Sequence, residues 1–491
     1  MTPVGYARLL QTPTVKAPSR SVMAEVRTVT RKERIDQTLA VPASMAPAAD
    51  DLLGHILFAL KHEGVDLCIL AQTLPMVPEP DIRAALEASP TSQYLRKACF
   101  LWEHFTGQRI ASNAPTGRPN YVPLFDPDQY LTVSGQRDNR WRIEFNGIGN
   151  LDYCVTVERT PALMALLDAD LLSQATAFTE SLPKALLERT LAWAYLHETR
   201  SSYAIENETP SGDKASRFVN LLRQAHAPRR LDEDYLVDLQ NAAISNPFAQ
   251  AASFRLEQNH LANGLRGALG VTYIPPEPAL AQELMDHLMT LANDPPADID
   301  PLVLASIISF GFVFIHPFMD GNGRLSRFLF HQVLCQRGVL KHGLLLPVSV
   351  VLRERETDYL ETLQAFSRPT REYWGVEYID EDNLTLTFNG HPALYRYWDA
   401  TSCCEFMARA TQQAIEQHLK QETLFLQRYD AIYRQIDQQF DVTNTDLSRL
   451  VMFCMDQKGH ISKHRRKQYQ ERVPAEVFDA IEQVYRDSGN L

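Results

Sequence analysis

Hydrophobic residues recur along this chain with two different periods, and the contrast between them lays out its elements. Between Asp51 and about Gly107 the apolar positions keep helical spacing. Leu52, Leu53, Ile56, Leu57 and Leu60 make one stripe, with Asp50 or Asp51 placed to cap it. A second helix is predicted from about Ser92 through Leu95, Cys99, Leu101 and Phe105. Residues 113–160 change character. Trp141 to Phe145 and Tyr153 to Val157 read as strands, and Asn146-Gly147 and Gly149-Asn150 supply turn chemistry, so a hairpin or small sheet is expected. Helices resume near Pro161, and Leu182 to Arg200 is periodic. Val271 to Ile274 is a short β-prone piece closed by Pro275-Pro276, followed by an amphipathic helix over Ala281 to Leu291. Residues 376–390 alternate polar and apolar and are read as a strand pair. From His391 onward the pattern is helical: Tyr395 to about Leu419, Glu422 to Phe440, and Asp446 to Met455.

The densest apolar run is Leu302 to Ile315, interrupted only by Ala, Ser and Gly, which predicts a helix buried on every side. The polar break Asn293 to Asp300 can cap it. His316-Pro317 stops it, because Pro317 lacks an N–H and pushes His316 towards an extended backbone. Phe318 can anchor the loop, and Asp320-Gly321-Asn322-Gly323 is a turn whose glycines allow positive φ. A second apolar helix begins near Gly323 and carries Phe328, Leu329, Phe330, Val333 and Leu334.

Chemistry concentrates in that junction. Free N–H groups and the positive end of a helix dipole face the loop and favour an anion. Arg324 and Arg327 are three residues apart, so both can reach the same anion. Asp320 is a hard oxygen ligand suited to a Mg²⁺ ion that keeps most of its waters. His316 is a candidate general base. Together these residues describe phosphoryl or nucleotidyl transfer.

Composition narrows the class. The chain has 491 residues, 45% hydrophobic and 22% charged, long enough for two to four compact units. Its net charge of −12 argues against a general nucleic-acid binder. The seven cysteines are scattered, with neither a disulfide framework nor zinc spacing, and a reducing, cytoplasmic compartment is expected. The first 50 residues lack the apolar segment of a signal peptide, and the longest apolar run is too short to span a bilayer. Residues 1–48 read as a loosely ordered arm.

Residues 316–327, H-P-F-M-D-G-N-G-R-L-S-R, fill every specified position of H-x-F-x-[DE]-G-N-G-R-x-x-R and so resemble the Fic family. The resemblance implies a mainly α fold with a β-hairpin flap, and an enzyme that transfers AMP from ATP to a Ser, Thr or Tyr hydroxyl of a target protein. It implies that His316 deprotonates the acceptor, that Asp320 holds Mg²⁺, and that Gly321, Asn322 and Gly323 form an anion hole. Arg324 would bind the β-phosphate side and Arg327 the γ-phosphate. Pro317 and Phe318 complete the ATP-binding stretch, with Tyr359 on the charged helix after Val351. In that helix the family pattern would place an Asn where Arg355 stands nearby.

Upstream, Ser202, Glu206 and Asn207 fill [ST]-x-x-x-E-[GN], which resembles the family's autoinhibitory motif. The resemblance implies that Glu206 pairs with Arg327 in place of the γ-phosphate. Val271, Thr272 and Tyr273 fall where the family has its flap, which aligns the target backbone by strand addition. The organisation read from these signals is an arm over 1–48, a helical region with a small β element over 49–180, a Fic core over 181–375, and a helical C-terminal domain over 376–491. Two other readings remain at this stage. The same site can remove AMP, or the protein can be a nucleotide-sensing regulator whose basic run Lys463 to Lys467 meets DNA. A homodimer is also compatible with the sequence.

Overall fold

Two adjacent helices, Pro301–Ile315 and Asn322–Gln336, form the centre of the protein in the computed structural model, which describes residues 2–111, 119–244, 249–264, 267–379 and 384–488. Asp300 caps the first, its carboxylate accepting from the Leu302 and Val303 amides at 2.8 and 3.1 Å, and Pro301 occupies the first turn where no N–H is needed. Only Pro301 and Val313 of this helix escape full burial. Helices Pro278–Asn293 and Thr401–Gln413 pack against it. The second central helix is covered by Lys184–Ile205, Gly212–Gln224 and Glu233–Ala243.

The N-terminal region is more structured than its composition suggests. Residues 2–48, read from sequence as a loose arm, instead hold a four-stranded sheet ordered Thr2–Pro3, Met23–Val26, Thr38–Val41, Glu33–Ile35. Val4, Ala24 and Val41 bury against Phe58, and Tyr6 is fully enclosed. Short strands and Pro-rich links mask this order, because no strand buries more than two side chains and two of the four bury none.

Helices follow at Leu52–His62, Leu67–Thr73, Glu79–Ala88 and Gln93–Thr106, the first capped by Asp51 and the last by Ser92. The hairpin or small sheet expected over 141–157 is two small sheets, and the two predicted strands do not pair with each other. Ile143–Phe145 lies between Val122–Pro123 and Gln136–Asp138, whereas Cys154–Thr156 pairs with Ile148–Gly149 and, in parallel, with Tyr397–Asp399. Asn146 is the reason. Its side chain binds both the N–H and the C=O of Phe125 at 2.9 Å, so it extends a ladder instead of making a turn.

In the second half, Trp374–Tyr378 and Leu384–Phe388 form the strand pair. The charged helix after Val351 breaks at Arg355 into Val348–Glu354 and Glu356–Arg371. The long C-terminal helix does not break near 420. Thr401–Gln413 runs through a π-helical turn, Ala414–Leu419, into Lys420–Asp437. One hydrophobic core collects residues from Tyr6 to Leu419, and a second, Ile432 to Val484, belongs to helices Lys420–Asp437, Asn444–Asp456, Lys463–Tyr469 and Ala475–Asp487. The residues after 376 thus pack in several places: the strand pair with Val271, Ile274 and Trp374, residues 393–419 in the first core and residues 432–484 in the second. No described helix is long and apolar enough to cross a membrane.

Candidate active site

His316 ends the first central helix in the left-handed conformation, φ 54°, where an extended backbone was expected. Pro317 excludes the right-handed region, and the left-handed turn lets the His316 amide close the helix on the Phe312 carbonyl at 2.9 Å. Such a backbone costs on the order of 1 kcal/mol and needs support. Arg255 supplies it. Its Nε donates to the His316 carbonyl at 2.9 Å, its amide to Pro317 O at 2.7 Å, its Nη1 to Glu257 O at 3.1 Å, and its Nη2 to Pro276 O. This buried guanidinium meets carbonyls and no carboxylate among the described residues, and burial lowers its pKa to about 10.

The His316 ring is buried, and its Nδ1 lies 3.2 Å from the Val313 carbonyl. A carbonyl only accepts, so Nδ1 carries the proton and Nε2 keeps a free lone pair. Burial, the largest cause, depresses its pKa to about 4 with help from Arg255, against smaller opposing effects of Val313 and Asp320. The imidazole is neutral at pH 7.

The following loop is tied internally. Asn322 accepts from the Phe318 amide at 3.0 Å and donates to the Phe318 carbonyl at 2.8 Å, so its side chain closes the turn and leaves only its backbone for an anion. Phe318 is buried against Phe254 and Phe312. Gly321 takes φ 84° at the helix N-cap, a conformation that suits glycine. Asn259 Nδ2 at 3.2 Å from Phe318 O and Gln240 Nε2 at 3.2 Å from Asp320 O brace the loop from outside.

The two arginines are both occupied by one carboxylate. Glu206 Oε1 accepts from Arg327 Nη2 at 2.8 Å, and Glu206 Oε2 lies 2.7 Å from Arg324 Nε. The second contact is an ion pair whose N–H is not aimed at the oxygen. Ser202 completes the grip on Arg327, its hydroxyl meeting Nε at 2.8 Å and its carbonyl Nη2 at 2.8 Å. A Cβ on Gly323 would lie 2.5 Å from Glu206 Oε1, so the carboxylate rests on the bare start of the helix, where the dipole favours negative charge. Asn207, exposed and left-handed at φ 57°, terminates helix Lys184–Ile205, and no bond of its side chain to either arginine is present.

Arg324 also meets Glu208 at 3.2 Å and Asp320 at 3.4 Å and lies over the Tyr203 ring. Asp320 is half-exposed. Its Oδ1 takes the Gly321 amide at 2.6 Å, while Oδ2 has no protein donor among the described residues. One open carboxylate oxygen beside an anion site fits a hard cation completed by water and phosphate oxygens. Among the described residues no group of three His, Cys, Asp or Glu side chains could cage a metal alone.

Tyr359 is buried between Phe310 and Phe406 and neighbours Arg327, whose charge opposes the burial that raises the phenol's pKa. Arg355 lies on the surface, bonded to Gln413 at 2.7 Å and Asp358 at 3.2 Å. Where a flap is expected, Val271–Tyr273 pairs with Leu261–Ala262. Alternation turns Val271 and Tyr273 inward, with the Tyr273 hydroxyl on the Phe314 carbonyl, so of the three residues only Thr272 faces outward. Arg255, Glu208, Asn259 and Gln240 were not assigned a role from the sequence. Lone polar residues far upstream of the motif carry no periodic signal that would assign one.

Comparison with known proteins places this geometry in a class. Residues 230–334 match the model of the Fic/DOC family, so the chain carries a Fic/DOC domain. It is similar to the protein adenylyltransferase Fic of Nematostella vectensis, 21% identical over 256 residues that make up 51% of this chain and 48% of that protein. The protein adenylyltransferase fic-1 of Caenorhabditis briggsae is 29% identical over 135 residues, 27% of this chain and 25% of the relative. The chain thus spans about half or less of the curated relatives it matches. Among solved structures it is similar to a Fic family protein from Desulfovibrio desulfuricans G20, with TM-score 0.41 and 20% identity over 64% of this chain and 94% of that one.

Proposed function

We propose that this protein transfers AMP from ATP to a Ser, Thr or Tyr hydroxyl of a target protein, and that Glu206 holds it inactive. The observation that carries the reading is the Glu206 carboxylate spanning Arg324 and Arg327 at a helix N-terminus that also presents the neutral base His316. A carboxylate there stands in for a phosphate group. The relatives named protein adenylyltransferase support the same chemistry.

In this reading His316 Nε2 takes the acceptor's proton, the hydroxyl oxygen bonds to the α-phosphorus, and pyrophosphate leaves. Asn322 and Gly323 offer backbone N–H groups to the phosphates, Gly321, whose own amide is taken by Asp320 Oδ1, shapes the turn that presents them, and Arg324 and Arg327 neutralise the leaving group's charge. Asp320 is the residue that would hold Mg²⁺, which supplies charge neutralisation of the phosphates when bound. Pro317 and Phe318 keep the loop in register, and Tyr359 backs Arg327. With Glu206 in place, Arg327 is unavailable to the γ-phosphate, and ATP binds without in-line alignment. The scattered free cysteines suit a reducing cytoplasm.

The test compares the unaltered protein, Glu206→Gly, and Glu206→Gly with His316→Ala, each with α-labelled ATP and Mg²⁺. Label on protein should be strong only in the single variant. Equal labelling of all three would refute both assignments. No labelling despite ATP binding would point to AMP removal or nucleotide sensing.

A further inference from the structure

A cavity of about 380 Å³ lies between the N-terminal region and helices Glu356–Arg371 and Thr401–Gln413, and its lining shares no residue with the site around His316. That volume suits a small organic molecule. One wall is apolar and aromatic, formed by Phe366 and Trp398. Both rings also touch Phe314, at 4.2 and 5.2 Å between centroids, on the helix that ends in His316.

The facing wall is acidic. Arg20 lines the same cavity and pairs with Asp66 at 2.5 Å through Nη1, its Nε meeting no acceptor, and Glu158 and Asp399 have no cation within ion-pair distance among the described residues. Asp399 accepts from the Thr401 amide at 2.8 Å through Oδ1 only, so Oδ2 is open. Burial is the chief cause raising the pKa of both carboxyls and Asp399 adds to the rise at Glu158, while the Arg20 charge opposes the rise at both. Two carboxylates repelling each other across a cavity attract positive charge. Tyr130 supplies an independent pointer. It is only 8% exposed and lines the cavity, and its hydroxyl has no hydrogen-bond partner among the described residues. An unpartnered hydroxyl on an otherwise buried side chain lining the cavity is a place for a ligand or water.

We propose that this cavity binds a small organic cation, an ammonium group on an aromatic or apolar body. The ammonium sits among Glu158, Asp399 and the Tyr130 hydroxyl, and the body lies against Phe366 and Trp398. Among the described residues no three metal-ligating side chains converge here, which favours an organic cation over a metal ion.

The experiment titrates the full chain with phenethylamine by calorimetry, beside its neutral and anionic counterparts 2-phenylethanol and 3-phenylpropionate. The amine should bind saturably, and each counterpart at least about tenfold more weakly. Asp399→Asn should weaken the amine by about tenfold, and Tyr130→Phe by about threefold through loss of one hydrogen bond. If Asp399→Asn fails to fold, Glu158→Gln and the three-ligand comparison on the unaltered protein decide the matter. Equal binding of amine and alcohol, or no saturable amine binding up to about 10 mM, would overturn the proposal.

Discussion

Arg255 donates its Nε–H to the carbonyl of His316 at 2.9 Å, across 61 residues of sequence and entirely within the core. The same side chain reaches Pro276, just past the strand Val271–Tyr273, so one guanidinium holds the His316 turn and that strand in a common frame. Replacing it leaves carbonyls unsatisfied. Arg255→Ala should lower stability by about 2–4 kcal/mol and turnover by tenfold or more, with little change in nucleotide affinity. Urea unfolding and labelling of Arg255→Ala in the Glu206→Gly background would check this. Unaltered turnover would remove Arg255 from the positioning role.

The depressed pKa of His316 gives a pH prediction with a definite sign. Its folded value of about 4 lies below the ordinary histidine value, so the folded protein binds fewer protons than the unfolded chain between those limits. Its stability contribution is therefore present above about pH 6.5 and is lost as pH falls towards 4. The labelling rate of Glu206→Gly should show no histidine limb between pH 6 and 8, and should fall only near the folded value. An inflection near 6.5 would mean that the base is a solvated imidazole.

Ser202 tests the grip on Arg327 separately from the carboxylate. Ser202→Ala removes the hydroxyl's bond to Nε and keeps the backbone carbonyl's bond to Nη2. The lost bond is worth about 1 kcal/mol, so basal labelling should rise about two- to fivefold, well short of Glu206→Gly. A rise equal to that of Glu206→Gly would make Ser202 the principal lock.

Gly323 separates the two occupants of the anion site. A methyl group there meets Glu206 Oε1 at 2.5 Å, the flexible end of a side chain, and intrudes on the same cradle that phosphate would use. Gly323→Ala should thus loosen Glu206 yet stay poorly active. Glu206→Gly combined with Gly323→Ala should label at least about tenfold less than Glu206→Gly alone. Equal rates would show that the phosphates approach elsewhere.

How much of this was legible in the sequence depended on range. The two central helices, the Asp300 cap and the Asp320–Gly323 turn are written in contiguous residues, and local rules find them. Glu206 and Arg327 meet across 121 residues, and only the resemblance of two short strings linked them. Arg255 had no comparable string. The His316 backbone was misread because the pre-proline rule excludes one region without choosing between the two that remain. The N-terminal sheet was missed because strands of two to four residues barely register as alternation. Asn146 misled as a turn residue, since nothing local reveals that its amide would pair with Phe125.

Helix Lys184–Ile205 is unevenly fastened. One turn before Ser202, Glu198 is wholly buried, bonded to the Ser349 amide at 2.8 Å and next to His331 at 3.1 Å, so the body of the helix is bolted into the core. Glu206 is the residue just past its last turn, followed at once by the left-handed Asn207. Helix ends fray at little energetic cost, whereas a buried glutamate moves only if the core opens. Under the proposed inhibition the lock resembles a bolt on a rigid door: unwinding a single turn withdraws the carboxylate and leaves the door shut. On that reading an activating partner would pull on a few residues around 203–208, with a footprint far smaller than the helix.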